Sequence, residues 1–400
     1  MRLLHTADWH LGRTLEGRSR HSEQEAVMDE ICQIAEEEHI DAVIMAGDAF
    51  DTVNPPAASE TLFYETVHRL SNNGHRPIVV ISGNHDNPER LQASAPIANV
   101  QAITLIGKPI AQPLRIPVPA AGSDMIVSAV PYPSESRLNE VLSVMNEEKD
   151  IQLAYEQRLA RVFSEHAKSF RKDTVNIMMS HLFIAGSRES DSERPIQVGG
   201  AYTVSPQSLP KEAQYIALGH LHRPQTIHQA SAPTRYSGSP LAYSFSEANQ
   251  PKSVTVIDVE PSKTASVKEI YLSAGRPLVK WQAKHGLNEV HQWLEEGRDS
   301  HAWIDLEIHL NGSLSIQEIQ QLRKQHQGII HIKPVYQLEE EKTKKQVADM
   351  PIDELFTRFY EQQTNGAQPE DDLIKLFLNL INEDDNKDTV EQEAALHASY

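Results

Sequence analysis

The hydrophobic and polar positions of the first 270 residues follow two alternating patterns. Short, largely apolar runs at 3–4, 42–46, 78–81, 125–130, 175–179, 215–218 and 254–259 stand between polar and turn-forming residues. Runs of this kind predict strands buried on both faces. Between them, Ala26, Val27, Ile31, Ile34 and Ala35 recur at helical spacing behind Ser22 and Glu25, which predicts a helix opened by a capping box. A second helix is predicted at 59–70, and 131–172 reads as polar helices after a turn at Pro131-Tyr132-Pro133. Strands alternating with helices make a layered α/β fold.

After about residue 273 the pattern changes. Strands are predicted at 278–281, 302–310 and 329–335, with helices at 287–296 and 316–326, giving a compact β-α-β-α-β unit. A charge run at 339–345 reads as a linker. Two amphipathic helices follow, near 352–363 and 371–381. One carries Leu355, Phe356, Phe359 and Tyr360, the other Leu373, Ile374, Leu376, Phe377 and Leu380; an acidic tail starts at Glu383. The chain therefore divides into 1–275, 276–338 and 339–400, the last containing the two helices within about 352–382.

Charge changes this picture little. The formal net charge is -19, and residues 339–400 hold 16 Asp and Glu against 6 Lys and Arg, more than half of the excess. Phosphate binding calls for Lys and Arg, so the balance argues against a protein that grips DNA tightly alone. The single cysteine, Cys32, excludes an internal disulfide and a thiolate cluster, and its helical context suits a small buried side chain. No signal-peptide pattern opens the chain, and no run approaches the roughly 18 apolar residues of a spanning helix. A soluble, cytoplasmic protein with no membrane partner is expected.

The chemistry lies where the apolar runs end. Five segments place metal-type ligands just after a strand: Asp8-Trp9-His10, Gly47-Asp48-Ala49-Phe50-Asp51, Gly83-Asn84-His85-Asp86, Ser180-His181 and Gly219-His220-Leu221-His222. In layered α/β folds the carboxyl ends of strands converge on one crevice. Each segment has a plainer reading alone: Gly-Asp-x-x-Asp is often a helix N-cap, and Asp-x-His is common on surfaces. Together they offer Asp, His and Asn without Cys, a donor set suited to manganese, with iron or zinc possible. His68, His75, His166 and His291 stand in polar contexts and read as surface residues.

These five segments resemble the signature of the calcineurin-like metallophosphoesterases. Residues 4–12, 46–51, 82–86, 218–222 and 236–240 are similar, within that superfamily, to the SbcD family of bacterial nuclease subunits. The resemblance implies a four-layer αββα core, a small βαβαβ capping domain that helps to bind duplex DNA, and C-terminal helices. It implies two divalent ions, manganese first among them. Asp8, His10, Asp48 and His222 would hold one; Asp48, Asn84, His181 and His220 would hold the other, with Asp48 bridging. His85 would contact the scissile phosphate and assist the leaving oxygen, a role suited to an imidazole. Asp86 would orient His85 or pair with neighbouring backbone, and Asp51 would support the site from behind.

The resemblance further implies a homodimer inside a heterotetramer with two copies of an SbcC-type ATPase, whose coiled-coil base the C-terminal helices would grip. No phosphate-binding P-loop motif occurs in the chain itself. The implied activity is exonucleolytic on double-stranded DNA ends and endonucleolytic on hairpin and single-stranded DNA, serving repair, replication and recombination. Arg13, Arg18, Arg20 and Arg223 are candidate DNA contacts. The residues alone say only "phosphoester". A phosphodiesterase for small substrates and a non-enzymatic scaffold stand as alternatives, though every expected ligand position is filled.

Overall fold

The computed structural model describes residues 1–138, 148–194, 202–310, 312–336, 350–363 and 368–380. In chain order its main elements are β1 (Arg2–Thr6), α1 (His21–Glu37), β2 (Ala42–Ala46), α2 (Ala57–Ser71), β3 (Ile78–Ile81), β4 (Ile103–Ile106), β5 (Leu114–Val118) and β6 (Ser123–Val130). Next come α3 (Glu148–Ala167), β7 (Val175–His181), β8 (Tyr215–Gly219), β9 (Gln225–Thr226), β10 (Thr234–Tyr236), β11 (Ser253–Asp258) and β12 (Ser266–Tyr271). The series ends with β13 (Leu278–Ala283), α4 (Leu287–Glu295), β14 (Trp303–Leu310), α5 (Ile316–Gln325), β15 (Ile329–Tyr336) and α6 (Ile352–Gln363).

Two six-stranded sheets form the core, in the orders β12-β11-β1-β2-β3-β4 and β9-β10-β8-β7-β6-β5. The strands β1 to β4 are mutually parallel, as are β6, β7, β8 and β10. The period of two explains the largely apolar runs. Leu3, Ala42, Ile44, Val79 and Ile81 face Met125, Val127, Ile177, Met179 and Ala217 between the sheets. Their neighbours Leu4, Val43, Met45 and Val80 turn outward to Val27, Met28, Ile31, Phe63 and Val67 of α1 and α2. On the second sheet, Met178, Ile216 and Leu218 meet Tyr155, Leu159 and Phe163 of α3. The result is helix, sheet, sheet, helix: the four-layer αββα core.

Several local expectations do not survive. The Ser22–Glu25 capping box is absent, because the cap position lies two residues earlier, at Arg20, which makes no side-chain cap. Glu25 instead lies near His21. His166 is buried, not superficial: its Nδ1 pairs with Ser128 Oγ at 2.9 Å and its Nε2 with the Ile110 carbonyl at 3.1 Å. Five of these strands escaped the pattern: β4, β5, β9, β10 and β12. The strand β5 carries Pro117, β10 is three residues long, and β12 is a half-exposed edge.

The strands β13, β14 and β15 form a three-stranded sheet with α4 and α5, matching the predicted β-α-β-α-β grammar. Ser315 and Glu318 make a reciprocal capping box on α5. This unit is fastened to the first turn of α1 and the segment before it. Trp303 Nε1 and the Arg276 amide donate to the Glu23 carboxylate at 2.9 and 2.7 Å, and Leu15, Phe245, Leu278, Trp303 and Ile330 pack together. Toward the C-terminus, the ring of Phe356 on α6 stacks at 4.1 Å on Phe377 of the helix at 371–380. Phe359, Leu376 and Leu380 remain exposed there. The predicted linker at 339–345 and the tail from Glu383 lie outside the described residues.

Candidate metal centre

All five ligand-bearing segments meet at one edge of the double sheet, because parallel strands end on the same side. The β1–β2 ladder continues past both strands through Asp8 N→Gly47 O, His10 N→Asp48 O and Leu11 N→Ala49 O, each 3.0 Å. The backbone there is forced: Asp8, His10, Asp48 and His220 have φ of +53°, +45°, +52° and +107°. Left-handed conformations at non-glycine residues cost free energy and gather at functional sites. Two glycines make the crowding possible. A Cβ on Gly83 would lie 2.0 Å from Asp48 Oδ1, and one on Gly47 would lie 2.4 Å from His181 Nδ1.

The side chains converge as follows. His10 Nε2 is 3.0 Å from His222 Nε2. Asp48 Oδ2 lies 3.6 Å from His10 Nε2 on one side and 3.3 Å from His181 Nε2 on the other. Asn84 Oδ1 is 2.9 Å from His181 Nε2. Asp8, His10 and His222 form one group able to hold an ion; Asp8, Asp48 and His181 form another. His220 is buried beside them, its ring 5.5 Å from that of His181, and its amide donates to Asp8 Oδ1 at 2.9 Å. A third group, His10, Asp51 and His85, is also close, but its Asp51 is partly exposed and His85 spends Nδ1 on a carbonyl.

The electrostatics suit cations. Burial, with His222 and His85 alongside and only partly offset by Asp51 and Asp48, pushes His10 down to about 3. Burial likewise lowers His220, so both imidazoles are held neutral with a lone pair to offer. Burial would also lower His181, but the Asp48 and Asp8 carboxylates outweigh it and raise it to about 9. Burial raises Asp8 well above the usual carboxylate range against the pull of His181, and nearby Asp48 adds to it. Asp8 Oδ2 and Asn84 Nδ2 are buried without a hydrogen-bond partner among the described residues. A buried carboxylate oxygen facing imidazole nitrogens has the donor chemistry of a divalent-ion ligand, and the cluster is compatible with a binuclear site.

His85 and Asp86 divide differently from expectation. His85 Nδ1 donates to the Asp51 carbonyl at 2.7 Å, and its amide donates to Asp48 Oδ1 at 2.9 Å. Asp86 does not orient it. Its carboxylate accepts from the amides of Gly83 at 2.8 Å, Phe50 at 3.0 Å and Ala49 at 3.3 Å, so it ties the β2 turn to the β3 turn. These contacts match the second of the two readings offered for Asp86, pairing with neighbouring backbone. Arg137, which the sequence did not single out, closes the same turn by donating to the carbonyls of Gly83 and Asp86 at 2.9 and 3.0 Å.

A calcineurin-like phosphoesterase model matches residues 1–224 of this chain. A second model, described as the type 5 capsule protein repressor C-terminal domain, matches residues 274–364. The chain is 55% identical over 391 residues to the SbcD subunit of the SbcCD nuclease of Bacillus subtilis strain 168, covering 97% of this chain and 100% of that one. It belongs to the SbcD family of calcineurin-like phosphoesterases. Family members of the same name in Staphylococcus epidermidis and Escherichia coli K12 are 35% and 31% identical, over 70% and 77% of this chain and 71% and 78% of theirs. As an SbcD-family chain it is a metal-dependent hydrolase, and its ligand turns all lie inside the matched phosphoesterase region.

Around this SbcD-family site the arginines take unequal parts. Arg20 is buried, bidentate on Glu23 at 2.9 and 2.7 Å, so it is a framework residue and not the expected phosphate contact. Arg18 donates to the Gln327 carbonyl at 2.5 Å and lies over Trp303, holding loop to cap. Arg13 donates to the Ser192 carbonyl at 2.7 Å and lies 3.6 Å from Asp51. Arg223 is half-buried beside His222. Ser192, Glu193, Glu247 and Lys252 also surround His222; of these only Glu247 carries a local signal, the Ser244–Glu247 capping box, which points to a helix start and not to a site. Among the described residues, no helix is long and apolar enough to cross a membrane.

Proposed function

We propose that this chain is the nuclease subunit of an SbcCD-type complex, cutting DNA by two-metal phosphodiester hydrolysis. The observation that carries the reading is Asp48 Oδ2 standing between His10 Nε2 and His181 Nε2, in a chain that aligns along 97% of its length with a nuclease subunit. In this reading Asp8, His10, Asp48 and His222 hold one ion, and Asp48, Asn84, His181 and His220 hold the second. A mixed oxygen and imidazole set without sulfur accepts manganese, with iron or zinc as alternatives, and manganese is the metal this reading takes. The chemistry such a pair supplies is polarisation of the phosphodiester and activation of a water near neutral pH.

The chain's own groups do the rest. His85, its Nδ1–H committed to the Asp51 carbonyl, presents Nε2 for a proton to the leaving oxygen. Asp86 and Arg137 keep its turn in place. Residues 1–275 act as the nuclease core and 276–338 as a cap guiding duplex DNA past Arg13 and Arg223. The helices at 352–382, with Phe359, Leu376 and Leu380 exposed, suit docking on an SbcC-type ATPase. The reading extends to exonuclease action on double-stranded ends, endonuclease action on hairpins and single strands, a homodimer within a cytoplasmic heterotetramer, and work in DNA repair, recombination and replication.

The test uses manganese-dependent cleavage of end-labelled duplex and hairpin DNA. His85→Ala is expected to bind two ions and lose most cleavage; Asp48→Ala is expected to lose metal. Normal cleavage by the His85 variant would refute the assignment. Faster turnover of a small diester than of DNA, with the ATPase present, would instead favour a small-substrate phosphodiesterase.

A further inference from the structure

His181 and His222 are oriented by very different means. His181 Nδ1 donates to the Ala46 carbonyl at 2.9 Å, inside the double sheet. His222 Nδ1 meets Ser192 Oγ at 2.5 Å, and Ser192 lies on the loop that follows the short strand Phe183–Ile184. The same hydroxyl donates to Glu247 Oε1 at 2.5 Å. A hydroxyl has one proton and a carboxylate only accepts, so the proton between Ser192 and His222 belongs to Nδ1. That leaves Nε2 deprotonated and directed at His10 and the centre of the site.

Glu247 is built to stay an acceptor. Oε1 also takes the amides of Tyr243 and Ser244 at 3.0 and 3.2 Å. Oε2 pairs with Lys252 Nζ, whose ammonium also donates to the His222 carbonyl and Ser239 Oγ, both at 2.9 Å. Glu247 and Lys252 are buried at 1% and 8% exposure. On the other side, Glu193 Oε1 accepts the His222 amide at 2.8 Å. Two adjacent loop residues thus clasp one imidazole and its backbone, while a buried ion pair fixes the clasp's polarity. Groups behind a metal-binding histidine set its tautomer and ring orientation.

We infer that Ser192, held by the Glu247–Lys252 pair, is a positioning residue that fixes the Nδ1–H tautomer of His222 and so sets the affinity of one of the two metal positions only. The inference rests on the reading of His222 as a metal ligand. Removing a partner of this kind costs about 10- to 100-fold in metal affinity.

The test is manganese titration of the metal-stripped full-length chain by calorimetry, independent of cleavage. Ser192→Ala is expected to weaken one of two manganese ions 10- to 100-fold and leave the other within twofold, and Ser192→Thr, which keeps the hydroxyl, to restore it. His222→Ala is expected to lose that ion altogether. If His222→Ala loses an ion while Ser192→Ala binds both as the wild type does, the positioning role is overturned and the ligand reading stands. If His222→Ala keeps both ions, the ligand reading itself falls. A long-range proton–nitrogen spectrum of the wild-type chain gives a second check: His222 is expected as the Nδ1–H tautomer, and the Nε2–H form would overturn the inference without any variant.

Discussion

Gly83→Ala is the smallest change that should disable the centre. Gly83 sits in the turn after β3, where a methyl group would lie 2.0 Å from Asp48 Oδ1 and 2.5 Å from both Asp48 Cγ and Asp48 N. Ordinary carbon contacts begin near 3.5 Å, so roughly 1 Å of separation is needed. Rotating the carboxylate cannot supply it, because the backbone nitrogen is also in the way. The turns after β2 and β3 must part, and with them Asp48, Asn84 and His85. Overpacking of this size costs about 1–3 kcal/mol of stability, which a 400-residue chain can absorb. The site cannot: a misplacement of about 1 Å costs on the order of 100-fold in rate. The expected result is a folded variant with at least about 100-fold less manganese-dependent cleavage and weakened binding of both ions, read by calorimetry and a gel assay. Gly312→Ala, where the added methyl meets nothing within 4 Å, serves as the control. A Gly83 variant that binds two ions normally and cleaves within twofold of wild type would refute the reasoning.

Other expectations are separable. Truncation before Val347 should preserve metal-dependent phosphodiesterase activity and abolish co-purification with the ATPase subunit; retained association would refute the docking role of the C-terminal helices. His5, buried with Arg235 nearby and pushed down to about 3, binds its proton less readily in the folded chain than in the unfolded one. Its contribution to stability is complete above about pH 6.5 and is lost as pH falls toward 3, by about 2 kcal/mol between pH 6.5 and 5. Denaturant titrations of His5→Gln should show a shallower acid slope than wild type, and equal slopes would contradict the account.

The strands that carry the site were legible because burial on both faces leaves largely apolar runs, and because polar ligands cluster where those runs stop. The edges were not, since β12 exposes most of its residues and β5 interrupts itself with proline. His166 was misread through its polar neighbours, although it extends the buried series Tyr155, Leu159 and Phe163 by one further helical step. The false capping box at Ser22 shows a pattern satisfied one residue from where the helix begins. Ser192, Glu247 and Lys252 escaped notice because Ser192 and Lys252 each stand 30 residues from His222 and Ser192 stands 55 from Glu247, and no spacing rule spans such distances. Arg20 illustrates the reverse error: a loop arginine looks like a phosphate contact until its buried partner Glu23 is seen.

The pairing of β1 with β11 has a consequence for biosynthesis. The first strand made is flanked on one side by Ser253–Asp258, and His10 meets His222 across 212 residues of chain. At translation rates of about 5–20 residues per second, the earliest ligands wait on the order of ten seconds or more for their partners. A ribosome-bound fragment ending before β8 has Asp8, His10, Asp48 and Asn84 but neither histidine of the last turn. Such a fragment cannot form the contact of His10 with His222, so the cluster described above is closed only when the core is nearly complete.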